Sequence, residues 1–261
     1  MTRIKSGIAE LDQMLRGGFM EKDAVLLAGS AGAGKTTLAL QYIVNGIKLF
    51  GTPGIYVTFE QLPDQIYRDA NSFGWDLRKL EEENKLRIIC TSPDLILSSE
   101  DGQSILDYPI KEIHPGRIVI DSMSHLQMYI GEKNFRLEVY RLVSQLKSRG
   151  LSSILLWETS QLMGQISSIS DMGMSFLVDS IILLKPVEID STIRRALVIL
   201  KMRGSDHDKS LREYYIDGSL GFVVQSPFEN FEGILSGSAH RTSGEAFVKT
   251  LAAIGSRKKE K

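Results

Sequence analysis

Short apolar runs alternate with amphipathic stretches along the first two-thirds of the chain. Runs of five or six mostly apolar residues stand at Ala24–Ala28, Ile55–Phe59, Leu86–Cys90, Arg117–Asp121, Ser153–Glu158 and Ser180–Leu184. Near-continuous apolar runs of this length read as strands buried on both faces. Helical spacing runs between them, over about Thr36–Leu49, Leu62–Phe73 and Lys133–Arg149. The alternation predicts an α/β fold with a mostly parallel, twisted sheet and helices on both faces. After residue 180 the rhythm changes. Ile181–Glu188 and Arg194–Met202 are strand-like and are separated by a short polar turn around Asp190-Ser191. That pattern predicts an antiparallel hairpin added to the sheet, which Leu211–Ile216 and Gly221–Val224 can continue.

Composition narrows the picture. The chain has 261 residues, 43% apolar and 24% charged, which is enough for one large domain with a full core. We expect one domain over residues 1–241, followed by a charged, Ser- and Gly-containing tail over 242–261, in which Gly244–Ile254 has some helical character. The net charge of −1 gives no global basic field for nucleic acid. Cys90 is the single cysteine; its apolar run predicts a buried structural thiol and suits a reducing cytoplasm. The opening MTRIKSGIAELDQML lacks the apolar core of a signal peptide, and no apolar stretch reaches the length of a membrane span. A cytoplasmic protein without a membrane partner is expected. His114, His125, His207 and His240 show no metal-ligand spacing.

The chemistry is concentrated after the first buried strand. Gly29-Ser30-Ala31-Gly32-Ala33-Gly34-Lys35-Thr36 fits G-x-x-x-x-G-K followed by Ser or Thr, position for position. The strand before it and the helix after it are the context this phosphate-binding loop requires. Glycines let the backbone fold into a nest of N–H groups around a phosphate chain. Lys35 is placed to reach the β- and γ-phosphates, and the Thr36 hydroxyl to reach Mg²⁺. The helix that begins here turns its positive end toward the anion. Gly29 through Thr37 are therefore assigned as the nucleotide-binding segment, with Mg²⁺ beside the phosphates.

Other candidates sit at strand ends, where parallel sheets bind ligands. Asp121 ends Arg117-Ile-Val-Ile-Asp121 and reads as the carboxylate that joins Thr36 at Mg²⁺, though buried strands also end in Asp for capping alone. Glu60 follows Tyr56-Val-Thr-Phe and is suited to orient the water that attacks the γ-phosphate; a capping or surface glutamate is the competing reading. Gln61 can hydrogen-bond a water but cannot take its proton. Strand alternation puts Lys201 and Arg203 on one face. From spacing alone they are either an electrostatic clamp on a transferred phosphoryl group or the solvated guard of a sheet edge.

Together these segments resemble the KaiC family of RecA-like ATPases, from about Lys5 to Arg241. Ser6-Gly-Ile-Ala-Glu-Leu-Asp12 and Gly17-Gly-Phe19 are similar to the family's opening signature. Ser72-Phe-Gly-Trp-Asp-Leu77, Ile120-Asp-Ser122, Lys201-Met-Arg-Gly-Ser205 with His207, and Ser236-Gly-Ser238 with Arg241 carry the more specific likeness. The late segments look closest to the second of the two tandem ATPase domains in the family's circadian clock proteins. The resemblance implies a hexameric ring with ATP between neighbouring subunits. Lys201 and Arg203 would then act on the neighbour's γ-phosphate, with Ser205 and His207 near the nucleotide at the same interface.

Two departures stand out. The family usually has two adjacent glutamates where this chain has Glu60-Gln61, which implies slow but real hydrolysis. The resemblance also carries an adjacent Ser-Thr pair that is autophosphorylated; here Ser175 is followed by Phe176, which leaves at most single-site modification of Ser175. The leading expectation is a ring ATPase with a regulatory role and an unidentified protein partner. The alternatives are a DNA-handling RecA relative and a nucleotide sensor with little turnover. The stretch Gln161–Ser175 contains no Lys or Arg, and DNA backbone tracking needs cations.

Overall fold

A computed structural model describes residues 2–97, 104–159, 174–235 and 239–241 of the chain. The chain enters through a two-stranded antiparallel ribbon, β1 (Arg3–Ile4) against β2 (Phe19–Met20), with α1 (Ala9–Met14) between them. The Arg3 guanidinium closes this unit by donating to the carbonyls of Leu15 and Gly18, both at 2.8 Å. Then follow β3 (Ala24–Gly29), α2 (Lys35–Phe50), β4 (Gly54–Thr58), α3 (Pro63–Asn71), α4 (Leu77–Glu82), β5 (Leu86–Cys90), α5 (Pro93–Leu97) and α6 (Asp107–Ile113). The second half holds β6 (Arg117–Asp121), α7 (Met123–Ile130), α8 (Glu132–Ser148), β7 (Ser152–Glu158), a 3-10 turn at Met174–Phe176, β8 (Ser180–Ile189), β9 (Thr192–Met202), β10 (Arg212–Asp217) and β11 (Gly221–Pro227). A last short ribbon pairs β12 (Phe231–Glu232) with β13 (His240–Arg241).

Among the described residues, nine strands form one sheet in the order β11-β10-β9-β8-β3-β7-β6-β4-β5. The six from β8 to β5 are parallel, and β9, β10 and β11 continue it antiparallel. The expected hairpin is present: β8 and β9 turn at Asp190 and Ser191, whose φ of 50° and 59° are the left-handed pair that a tight hairpin uses. β8 runs one residue beyond the expected Glu188, because β9 pairs it all the way to Ile189.

Every residue of β3 is buried, so its side chains serve both faces. Val25 and Leu27 pack with α1 and with Leu38, Ala39, Tyr42, Ile43 and Ile47 of α2. Ala24, Leu26 and Ala28 pack with α7 and α8 on the other face. This period-two split between two helix layers is why the parallel strands read as unbroken apolar runs. From β3 the chain crosses to β4, and β7 and β6 later fill the gap between them while β8 takes β3's other side. The C-terminal end of β3 is therefore a switch point, where a crevice opens beyond the strand ends.

One sequence expectation is overturned. Cys90 is exposed, not buried. It ends β5, the outermost parallel strand, one flank of which has no strand neighbour among the described residues. Among the described residues, no helix is long and apolar enough to cross a membrane. The expected tail over 242–261, with Gly244–Ile254, lies outside the described residues, as do Ser236–Ser238 and residues 161–173 of the cation-free stretch.

Candidate nucleotide site

The phosphate loop leaves β3 at Gly29, which is flanked by Glu158 of β7 and Leu184 of β8. A Cβ at Gly29 would lie 2.7 Å from the Leu184 carbonyl oxygen, so the close approach of loop to β8 requires glycine. Gly34 stands at φ +86° as the N-cap of α2, where a Cβ would also meet Ile216 Cδ1 at 2.7 Å. No side chain caps α2, which leaves its first N–H groups to a ligand or solvent. The Tyr214 hydroxyl donates to the Ala33 carbonyl at 2.6 Å and props the loop from β10. Ser30 Oγ is buried with no partner among the described residues. An uncapped helix start and an orphaned buried hydroxyl fit a phosphate chain.

Lys35 is nearly buried and folds back over the loop. Its Nζ donates to the carbonyls of Gly29 at 2.9 Å and Ser30 at 2.8 Å, and lies 3.9 Å from Glu158 Oε2. Burial pushes the ammonium pKa down, and Glu158 and Asp121 oppose that shift.

Below the loop, Asp121 Oδ2 accepts from the Tyr56 hydroxyl at 2.6 Å and from Thr36 Oγ1 at 3.1 Å. Burial raises the Asp121 pKa, while the two hydroxyls and Lys35 favour its charged form. Among the described residues, no three His, Cys, Asp or Glu side chains cluster as a metal cage. One carboxylate and one hydroxyl side by side suit Mg²⁺, which keeps waters and takes its remaining ligands from phosphates. The donor set fits that ion, with Thr36 and Asp121 as the residues that would hold it.

Glu60 and Gln61 lie just past β4, on a turn whose two N–H groups both donate to Thr58 Oγ1, at 3.3 and 3.1 Å. A cavity of about 370 Å³ opens here, lined by Ala31, Gly32, Gly34, Lys35, Thr36 and Thr37 of the loop and by Glu60, Gln61 and Asp121 opposite. Gly29, Ser30 and Ala33 lie beneath and do not line it. The fold thus gathers the loop, the Asp121 strand and the Glu60 turn into one space.

It does not bring the late residues there. Lys201 pairs with Ile181, which pairs with Leu26, and Met202 with Ser180, which pairs with Val25, so β9 ends toward the N-terminal end of β3, away from Gly29. Lys201 Nζ donates to the carbonyls of Ser175 and Val178. Burial and then the Arg203 charge push its pKa down. Arg203 donates to the Phe176 carbonyl at 3.2 Å and lies 3.8 Å from Asp179. Ser205 accepts from Arg3, and the residue after His207 donates its N–H to the Met14 carbonyl. His207 Nδ1 is buried without a partner among the described residues.

Sequence reasoning missed several members of the site. Tyr56 and Glu158 carry polar groups at or near the ends of apolar strands, a signal hidden within the runs. Ser122 and His125 also line the cavity, with Ser122 Oγ 3.0 Å from His125 Nδ1. Their three-residue spacing on one helical turn is the only sequence signal for that pair.

A glycine loop fed by a buried central strand, facing an acidic end of a nearby parallel strand, defines a RecA-like P-loop nucleotide-binding protein. The family model described as ATPase: KaiC matches residues 4–228. The chain is 34% identical over 252 residues to the circadian clock protein KaiC3 of Synechocystis sp., covering 97% of this chain and 49% of that protein. It is 36% identical over 241 residues to the circadian clock oscillator protein KaiC of Thermostichus vulcanus, and 37% identical over 241 residues to that of Nostoc sp.; each match covers 92% of this chain and 46% of the relative. The chain belongs to the KaiC ATPase family. It spans about half the length of the curated relatives it matches.

Proposed function

We propose that the chain binds ATP with Mg²⁺ at the Gly29–Thr37 segment and hydrolyses it slowly, as a subunit of a six-membered ring whose nucleotide state is read by a protein partner. The observation that carries this is the meeting of Lys35, the Thr36–Asp121 pair and Glu60 in one cavity. Bound Mg²⁺ would supply charge neutralisation of the phosphates. The protein's part is positioning and electrostatics. Loop N–H groups and Lys35 hold the phosphate chain, and Glu60 aligns a water and takes its proton. The water oxygen bonds to the γ-phosphorus as the bond to the β–γ bridging oxygen breaks. Gln61 supplies no second carboxylate, which limits the rate.

The ring completes the site. Lys201 and Arg203 lie at the end of the strands away from the phosphate loop, so any contact they make with a γ-phosphate is with a neighbour's. The clock role belongs to the named relatives; for this chain we propose regulation in the broader sense. Ser175 tests a kinase side of the same reading, in which its hydroxyl replaces water as nucleophile. Long incubation with Mg-ATP should then add a single phosphate to the intact mass, and a Ser175→Ala chain should add none.

Steady-state ATP turnover with Mg²⁺ tests the main reading, against a Lys35→Ala blank and with and without single-stranded DNA. Turnover that depends on Lys35 and ignores DNA supports it. Strong stimulation by DNA would replace it with a DNA-handling activity.

A further inference from the structure

The cavity holds a histidine that the phosphate-binding motif does not use. His125 sits in the first turn of α7, with Nδ1 3.0 Å from Ser122 Oγ and Nε2 3.4 Å from Glu60 Oε2. All three residues line the nucleotide cavity. Lys35, Asp121 and Glu158 are the charged groups that share it with them.

The Glu60 turn explains why such a partner matters. Its backbone is fixed: Phe59 N–H donates to the Asp121 carbonyl at 3.0 Å, and Thr58 Oγ1 accepts from the next two N–H groups. Its carboxylate is not, since the side chain is 71% exposed. Among the described residues, His125 is the side chain within ion-pair or hydrogen-bond reach of that carboxylate. A flexible carboxylate aligns a water poorly, because an ångström of misplacement costs about 100-fold in rate. The hydrogen-bond network also sets the imidazole tautomer. The Glu60 carboxylate can only accept, so Nε2, the ring nitrogen facing it, carries a proton, and Nδ1 is left to pair with the Ser122 hydroxyl.

We propose that His125 is a positioning residue for ATP hydrolysis: backed by Ser122, it donates through Nε2 to the Glu60 carboxylate and holds that group where it meets the attacking water. The proposal rests on the reading of Glu60 as the water-positioning group. His125 keeps its proton throughout; the water's proton goes to Glu60.

A merely structural His–Glu contact at this exposure would contribute little to stability, so kinetics separate the two roles. We would measure turnover at saturating Mg-ATP, KM, and the affinity for a non-hydrolysable ATP analogue in full-length His125→Ala, His125→Gln, Glu60→Gln and the double variant Glu60→Gln/His125→Ala. Slow variants would be read with enzyme in excess over ATP. His125→Ala should lower kcat by about tenfold to 100-fold, with analogue affinity within about twofold. His125→Gln should recover much of that loss, because its amide N–H can still donate to Glu60. In the Glu60→Gln background, His125→Ala should change nothing further. Unchanged kcat in His125→Ala, alongside a slow Glu60→Gln enzyme, would overturn the proposal alone. So would a full His125 effect that persists in the Glu60→Gln background. Unchanged turnover in Glu60→Gln would remove the Glu60 reading and this inference with it.

Discussion

The Tyr56 hydroxyl donates a 2.6 Å hydrogen bond to the same Asp121 oxygen that accepts from Thr36. The pair is built by register: Thr58 of β4 lies opposite Asp121 of β6, and Tyr56, two residues earlier, shares the Thr58 face. Burial and the carboxylate hold the phenol pKa well above its ordinary value, so Tyr56 remains the donor. It fixes the carboxylate that we assign to Mg²⁺.

Tyr56→Phe removes that donor without removing the ring. Partners of this kind typically tune metal affinity tenfold to 100-fold. The Mg²⁺ concentration for half-maximal turnover should rise about tenfold. Stability should fall by about 1.5–3 kcal/mol, the contribution of a hydrogen bond to a charged group. A magnesium titration that overlays the parent's would remove Tyr56 from the metal site.

Lys35→Ala should separate binding from folding. The two carbonyls that Lys35 holds have backbone donors as well, Thr159 N–H for Gly29 and Ala33 N–H for Ser30. Burial already disfavours the ammonium. The nucleotide-free variant should therefore melt close to the parent. Nucleotide affinity should fall by about tenfold to 100-fold, from losing a charged hydrogen bond of about 1.5–3 kcal/mol. Calorimetric titration with ATP checks the second expectation; parent-like affinity would mean that Lys35 does not reach the phosphates.

What was legible in the sequence was local. The buried strands, the β8–β9 hairpin and the phosphate loop each depend on neighbouring residues, and periodicity or motif spacing exposes them. What was not legible depends on strand order. Cys90 lies in an apolar run like the others, and only the placement of β5 outside β4 exposes it. Tyr56 and His125 gain their meaning from a register and a helix start that bring them to Asp121 and Glu60. The short helices α4 to α7 carry too few turns for a periodic signal to stand out.

Stability should depend on Asp23, which directly precedes β3 at the end away from the phosphate loop. The residue is nearly buried, and burial, then the neighbouring Asp179 charge, raises its pKa from the ordinary 3.8 to about 6; Lys147 opposes the shift. Between these values the folded chain keeps a proton that the unfolded chain has released. Stability from this group is thus present in full below about pH 4 and is lost as pH rises through about 6. Asp23→Asn should match the parent at acid pH and exceed it by about 1–3 kcal/mol at neutral pH, at ~1.4 kcal/mol per pKa unit. Urea unfolding at both pH values checks this, and a pH-independent difference would rule it out.

The ring reading makes its sharpest prediction in mixtures. Lys35 lies beyond the C-terminal end of β3 and Arg203 at the opposite end of the strands, so on that reading a complete site takes Lys35 from one subunit and Arg203 from the next. Arg203→Ala and Lys35→Ala chains should each hydrolyse ATP poorly alone. Mixed in equal amounts and allowed to exchange, they should regain activity, because an Arg203→Ala subunit keeps its Lys35 and a Lys35→Ala neighbour offers its Arg203. In a random ring about one interface in four has that pairing, so about a quarter of the parent turnover should return. Native mass spectrometry would confirm that rings have mixed. Mixed rings with no recovered turnover would show that Arg203 does not complete a neighbour's site.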